Sequence, residues 1–208
     1  MLLRRALAAE FFGTAFLLIA VVGSGIMAER LFDGNVGLAL LANTIATGAA
    51  LVALIGAFGA ISGAHFNPAV SLMMTLEGEL EKKRLFPYVG AQTFGALVGV
   101  ASAHVMFNLP WMMRSTQVRF GVSQWISEAI ATFGLLAVIW GTARARPTHV
   151  PFAVGAYITG AYWFTSSTSF ANPDRMSATY ASAMRFARRS SASMRVITPK
   201  RRSSVSSS

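Results

Sequence analysis

The sequence predicts an all-α protein that crosses a membrane several times. Hydrophobic residues make up 54% of the 208 residues and charged residues only 12%, a balance typical of membrane proteins. Residues 34–76 and 147–173 contain no Asp, Glu, Lys or Arg, and a helix needs about 20 apolar residues to cross the hydrocarbon core. We expect transmembrane helices over five ranges: 6–28, 36–59, 85–106, 124–142 and 150–168.

The net charge is distributed unevenly along the chain. Of the total of +10, residues 174–208 contribute +7, from eight Lys or Arg and one Asp. The positive charge thus lies mostly beyond the apolar segments, and we expect no nucleic-acid partner. The chain has no Cys, which excludes disulfides and thiol chemistry. His65, His104 and His149 lack metal-ligand spacing, so we expect no cofactor, no metal site and no enzyme.

Lys and Arg residues in the short loops predict the orientation in the membrane. Seven fall on one side and three on the other: Arg4, Arg5, Lys82, Lys83, Arg84, Arg144 and Arg146 against Arg30, Arg114 and Arg119. Because cytoplasmic loops carry the excess, we expect a multi-pass protein in the lipid bilayer of the inner (plasma) membrane, with a cytoplasmic N-terminus. Glu10 interrupts the first apolar segment, which favours a membrane helix over a cleaved signal peptide.

The apolar part of the chain repeats itself. AAEFFGTAFLL near the start resembles ISEAIATFGLL from Ile126, which aligns Glu10 with Glu128, and SGAHFNPAV resembles STSFANPDR, which aligns Asn67 with Asn172. The first repeat covers about 6–106 and the second about 124–173. Three helices separate the two starts, so the halves have opposite topology. Inverted repeats with broken helices are typical of transporters and channels.

The segment between the second and third predicted helices is too apolar for an ordinary loop and too short to cross the membrane twice. An apolar stretch of this kind can enter the membrane and return. Asn67 is a preferred helix N-cap, and Pro68 suits the first helical position because its missing N–H is not needed there. We therefore expect a half-helix that begins at Asn67-Pro68.

AEFFGTAFLL, SGAHFNPAV and TSFANP resemble the aquaporin family, also called major intrinsic proteins, over about residues 6–173. The resemblance implies a right-handed bundle of six helices with two re-entrant half-helices, assembled as homotetramers with one pore per subunit. It implies passive flow of water or small neutral solutes. The pore motif would consist of Asn67, Pro68, Ala69, Asn172 and Pro173.

The resemblance also assigns roles to other residues. Glu10 and Glu128 would brace the half-helix loops through backbone N–H groups, although a carboxylate near a helix start is an alternative reading of Glu10. Four positions would form the selectivity filter: Thr47, Gly160, Ser169 and Arg175. Small side chains at the first three imply a wide opening, as in solute channels. The chain is most similar to bacterial aquaglyceroporin-like channels of the arsenic-resistance type, which suggests glycerol or arsenite-like metalloid hydroxides.

The sequence departs from the family after Pro173. The second motif reads Asn-Pro-Asp, and no apolar segment follows that could form a sixth helix. We expect about five of six transmembrane helices in a channel domain over 1–173, followed by a basic Ser/Arg-rich tail over 174–208 that is disordered or translated out of frame. The nucleotide sequence distinguishes these two origins. The competing functional interpretations are a non-conducting remnant, which only associates with the membrane or with intact subunits, and a secondary transporter.

Asp174 generates a first prediction. A carboxylate at this position is favourable beside the positive end of a half-helix, but it opposes the field that excludes cations from the pore. We expect Asp174→Ala to change solute conductance or cation leak in proteoliposomes. Identical flux with and without the change would place Asp174 away from the pore.

Overall fold

The computed structural model describes residues 2–111 and 122–165, and this part of the chain is helical without a strand. Six α-helices follow one another: α1 (Leu3–Leu31), α2 (Val36–Ser62), α3 (Pro68–Leu76), α4 (Lys82–Met106), α5 (Val122–Ala145) and α6 (Val150–Phe164). A 3-10 turn over Pro147–His149 joins the last two. The predicted all-α membrane fold is thus confirmed.

Four of these helices, α1, α2, α4 and α5, are long and apolar enough to cross a membrane. Their ends lie within three residues of the predicted ends. α6 begins at Val150 as predicted but ends at Phe164, four residues before the predicted end at 168. The next residue, Thr165, is extended, and its hydroxyl donates to the Ala161 carbonyl at 2.7 Å.

The hydrophobic core is built around α1. Its buried side chains include Leu17, Leu18, Val21, Val22 and Ile26, and it packs against both α2 and α4, while α6 packs against α2 and α5. Large apolar side chains point outward from most helices, among them Phe12, Phe16, Phe86, Phe94, Phe133 and Phe152. Soluble proteins rarely expose so much contiguous apolar surface, and lipid is the solvent that suits it.

A glycine permits the close approach of α1 and α4. A Cβ added at Gly95 would overlap the backbone carbonyl of Phe11, and backbone cannot move aside as a flexible side chain can. Small residues at such crossings let membrane helices pack closely. By contrast, Gly90, five residues earlier on α4, has open space where its Cβ would lie.

These two glycines give a matched pair of substitutions. We expect Gly95→Ala to lower the free energy of unfolding by about 1–3 kcal/mol, because the crossing must open. Gly90→Ala should leave it unchanged or raise it by up to about 1 kcal/mol, because alanine is the better helix former. Thermal unfolding in detergent, followed by tryptophan fluorescence, measures both. Equal effects would contradict the close crossing.

Candidate functional site

The loop between α2 and α3 holds three positions of left-handed backbone within four residues. Gly63 ends α2 with a φ of 89°, Ala64 follows at 50°, and Phe66 has a φ of 47°. Glycine adopts this left-handed conformation readily, whereas each other residue pays about 1 kcal/mol or more. Ala64 and Phe66 are both buried. The loop therefore requires support from outside its own sequence.

That support comes from Glu10 of α1, whose side chain is fully buried. Its Oε1 accepts hydrogen bonds from the Ser62 hydroxyl at 2.6 Å and the His65 N–H at 3.0 Å. Its Oε2 accepts from the Phe66 N–H and the Gln92 side-chain amide, both at 2.8 Å. A buried carboxylate is tolerated only when it is hydrogen-bonded in this way. Two of the four donors are backbone N–H groups of the strained loop, so Glu10 holds its conformation directly.

A second layer of polar side chains surrounds the Glu10 carboxylate. The Gln92 amide also donates to the Ser71 hydroxyl at 2.9 Å, and Ser71 lies 3.0 Å from His65 Nδ1. Tyr88 donates to the Ser62 carbonyl at 3.0 Å, which ties α4 to the end of α2. These contacts join α1, α2, α3 and α4 around one carboxylate.

Sequence reasoning did not identify Gln92, Ser62, Ser71 or Tyr88 as part of this site. Gln92 carried a usable signal, since it is an amide inside an apolar membrane helix, and polar residues there usually have a partner. Ser62 and Ser71 carried no such signal in the sequence, because serine hydroxyls are common in membrane helices.

Asn67 caps the half-helix α3 at its N-terminus. The Asn67 side-chain oxygen accepts from the Ala69 N–H at 2.8 Å, and Pro68 occupies the first helical position. The half-helix thus begins where the sequence predicts. Because the oxygen caps the helix, the NH₂ group is the end of the Asn67 amide that can donate to a ligand.

A cavity of about 650 Å³ lies beside the loop and the half-helix. Asn67, His65 and Phe66 line it, so the capped helix end faces open space. Apolar side chains form much of the remaining wall: Leu17, Leu51, Ile55, Val70, Leu135, Ile139, Val154 and Ile158. A mostly apolar cavity with a few convergent polar groups is the usual form of a ligand site.

Two of the predicted filter residues, Thr47 and Gly160, lie on α2 and α6. The buried Thr47 hydroxyl donates to Asn43 Oδ1 at 3.2 Å and lies 3.3 Å from the Tyr162 hydroxyl. Gly160 is exposed, and a Cβ added there would meet no atom within 4 Å in the described structure. The Thr47 hydroxyl therefore contacts Tyr162, whereas Gly160 faces outward. The described structure does not bring these two predicted filter residues together.

The remaining predicted site residues belong to the second repeat. Glu128 lies in the second turn of α5 and is half-buried. Glu10 lies at the matching position of α1 but is fully buried. Asn172, Pro173, Ser169 and Arg175 lie outside the described residues, as does the predicted tail over 174–208.

A family model, "MIP: Major intrinsic protein", matches residues 1–175. The chain belongs to this family, whose members are membrane channels. Its similarity to Aquaglyceroporin AqpS of Rhizobium meliloti (strain 1021) is 55% identity over 171 residues, which covers 82% of this chain and 73% of the relative.

More distant relatives match shorter parts of the chain. Aquaporin Z of Brucella melitensis biotype 1 is 42% identical over 100 residues, 48% of this chain and 43% of the relative. Aquaporin-8 of Rattus norvegicus is 34% identical over 127 residues, 56% of this chain and 48% of the relative. The chain spans less than half the length of these two.

A solved structure, the aquaglyceroporin from Plasmodium falciparum, is similar in fold. The TM-score is 0.66 at 23% identity, over 88% of this chain and 81% of that chain. At this identity the similarity concerns the fold alone, and it agrees with the helical bundle and half-helix described above.

Glu10→Gln tests the support of the loop. The amide NH₂ of glutamine would face an N–H donor, so at least one buried group loses its partner, and we expect a loss of about 1–3 kcal/mol in unfolding free energy. Glu79→Gln removes an exposed carboxylate and should change stability by less than about 0.5 kcal/mol. Thermal unfolding in detergent compares the two, and equal losses would contradict the role of Glu10.

Proposed function

We propose that this chain forms a passive channel for water and small neutral solutes, of the glycerol and neutral metalloid hydroxide (arsenite-like) class. One observation carries the proposal: a half-helix held by a buried carboxylate directs its capped N-terminus at a cavity. Family membership and the name of the Rhizobium meliloti relative support it.

The length of α3 suits a position at the membrane centre. A helix over Pro68–Leu76 rises by about 1.5 Å per residue, so it spans close to half of a hydrocarbon core that is about 30 Å thick. Its N-terminus carries the equivalent of roughly half a positive charge. Such an end repels cations and protons, while the Asn67 amide donates to the oxygen of a passing neutral solute.

The second half of the pore follows from the repeat, with residues 1–173 as the channel domain. In this proposal Asn172 and Pro173 begin the opposing half-helix. Glu128 braces the loop that precedes it, as Glu10 contacts the loop before Asn67. The matched positions of the two carboxylates early in α1 and α5 support this assignment.

The proposed filter consists of Thr47, Gly160, Ser169 and Arg175. Thr47 supplies a hydroxyl at the first of these positions, where it is hydrogen-bonded to Asn43, and Gly160 has no side chain to narrow the opening. A wide filter with hydroxyl groups suits a polyol or a metalloid hydroxide better than water alone. Arg175 supplies the fixed positive charge.

We further propose a homotetramer in the inner membrane with the N-terminus in the cytoplasm. Arg84 and Arg144 line the same cavity, which supports the grouping of basic residues at one membrane face. The outward apolar side chains provide surface for lipid and for neighbouring subunits.

Flux through proteoliposomes tests the proposal. We expect the reconstituted chain to raise the rates of glycerol and arsenite entry above those of empty liposomes, with proton flux unchanged. Asn67→Ala should reduce both rates, because it removes the donor and a helix cap worth about 1 kcal/mol. Asn35→Ala is the matched control, since Asn35 caps α2 through the Leu38 N–H at 3.1 Å on an exposed surface.

Three outcomes separate the interpretations. Flux that falls with Asn67→Ala but not with Asn35→Ala supports the channel. No flux above empty liposomes supports the non-conducting alternative. Uptake that requires an ion gradient would identify a secondary transporter.

A further inference from the structure

The far end of the half-helix α3 contacts α5 through three side chains. Glu77, the C-cap of α3, accepts from Arg144 Nη2 at 3.2 Å and from the Trp140 indole N–H at 3.3 Å, both on the same Oε2. The Arg144 guanidinium also lies over the Trp140 ring, 4.0 Å from its centroid. We call this group of Glu77, Trp140 and Arg144 the latch. It connects a half-helix of the first repeat to a helix of the second.

Each member of the latch lines the 650 Å³ cavity that also contacts Asn67. The latch lies at the opposite end of α3 from Asn67, and its side chains are partly exposed, with 62% exposure for Arg144 and 40% for Glu77. It therefore marks the place where the cavity meets solvent.

The position of Glu77 is unfavourable without its partners. The C-terminus of a helix carries partial negative charge, so a carboxylate there is repelled and a cation is attracted. Arg144 and the Trp140 N–H offset that repulsion. When the latch opens, the repulsion between the Glu77 carboxylate and the C-terminal end of α3 is no longer offset. The contact between α3 and α5 is then weaker.

The geometry points to the latch as a positioning device that sets the width of the cavity mouth. Closed, it holds the C-terminal end of α3 against α5 and narrows the entrance. Open, it lets solutes reach the capped end of α3. Exposed ion pairs are individually weak, so the latch opens and closes readily, unlike the buried Glu10 network. The effect of the latch on solute flux rests on the proposed function. The access of reagents to the cavity can be measured without any flux.

The absence of cysteine from the chain allows a direct measurement of access. Val154→Cys places a single thiol at a buried position that lines the cavity on α6, a helix that carries no latch residue. The labelling rate by membrane-impermeant methanethiosulfonates, one cationic and one anionic, then reports how easily the cavity is entered. Thermal unfolding of each variant shows whether it is folded.

We expect Glu77→Gln and Arg144→Gln each to raise the labelling rate about two- to fivefold with both reagents, the range that a partly exposed ion pair allows. The double variant should be no faster than either single one. Exchanging the charges, as Glu77→Arg with Arg144→Glu, should restore the slow rate. Arg146→Gln is the matched control outside the cavity and should change nothing. Glu79→Gln removes a like charge that also lines the cavity but forms none of the ion pairs of the described structure, so it tests the loss of charge alone and should likewise leave the rate unchanged.

Several results would overturn the latch. If the two reagents respond in opposite directions, the substitutions alter only the local potential. Additive effects in the double variant, or equal effects in the controls, would show that Glu77 and Arg144 do not act as a pair. A latch result without solute flux would contradict the proposed function alone, and flux without a latch result would contradict this inference alone.

Discussion

The described structure depends on one buried carboxylate. Glu10 is the point at which α1, the loop before α3, and α4 meet, and its four donors come from two separate segments of the chain, residues 62–66 and Gln92 of α4. Without it, the His65 and Phe66 N–H groups would lose that partner, and the left-handed backbone of Ala64 and Phe66 would lose the main polar contact that offsets its cost. The helices position the carboxylate, and the carboxylate in turn fixes the loop that aims Asn67.

Sequence reasoning recovered the features that depend on local chemistry. The long helices follow from charge-free apolar segments, and the start of α3 follows from Asn67 and Pro68, since cap and first-turn preferences act within a few residues. The end of α6 was predicted too late because the sequence stays free of charge beyond Phe164, and composition alone does not reveal that the backbone becomes extended at Thr165.

Contacts between distant residues were harder to predict. Glu10 was assigned to the half-helix loop by resemblance rather than from spacing, while Gln92 and Tyr88 were missed because their roles require knowledge of which face of α4 meets α1 and α2. Thr47 illustrates the same limit: its bond partner Tyr162 is 115 positions away. The family resemblance, counted by spacing from Asn67, identified Thr47 as a candidate for the filter but contained no information about its neighbour.

The two ends of α3 are held by different kinds of interaction, and the difference suits a channel. At the N-terminal end, the Glu10 network is buried and shared among neighbouring helices, so Asn67 is held by many contacts; in the proposed channel a passing solute would meet its amide as a fixed donor. At the C-terminal end, Glu77 and Arg144 are exposed to solvent, where an ion pair exchanges easily with water. In the proposed channel, a half-helix held firmly at its N-terminal end and loosely at its C-terminal end would vary the width of its entrance while the orientation of Asn67 is maintained.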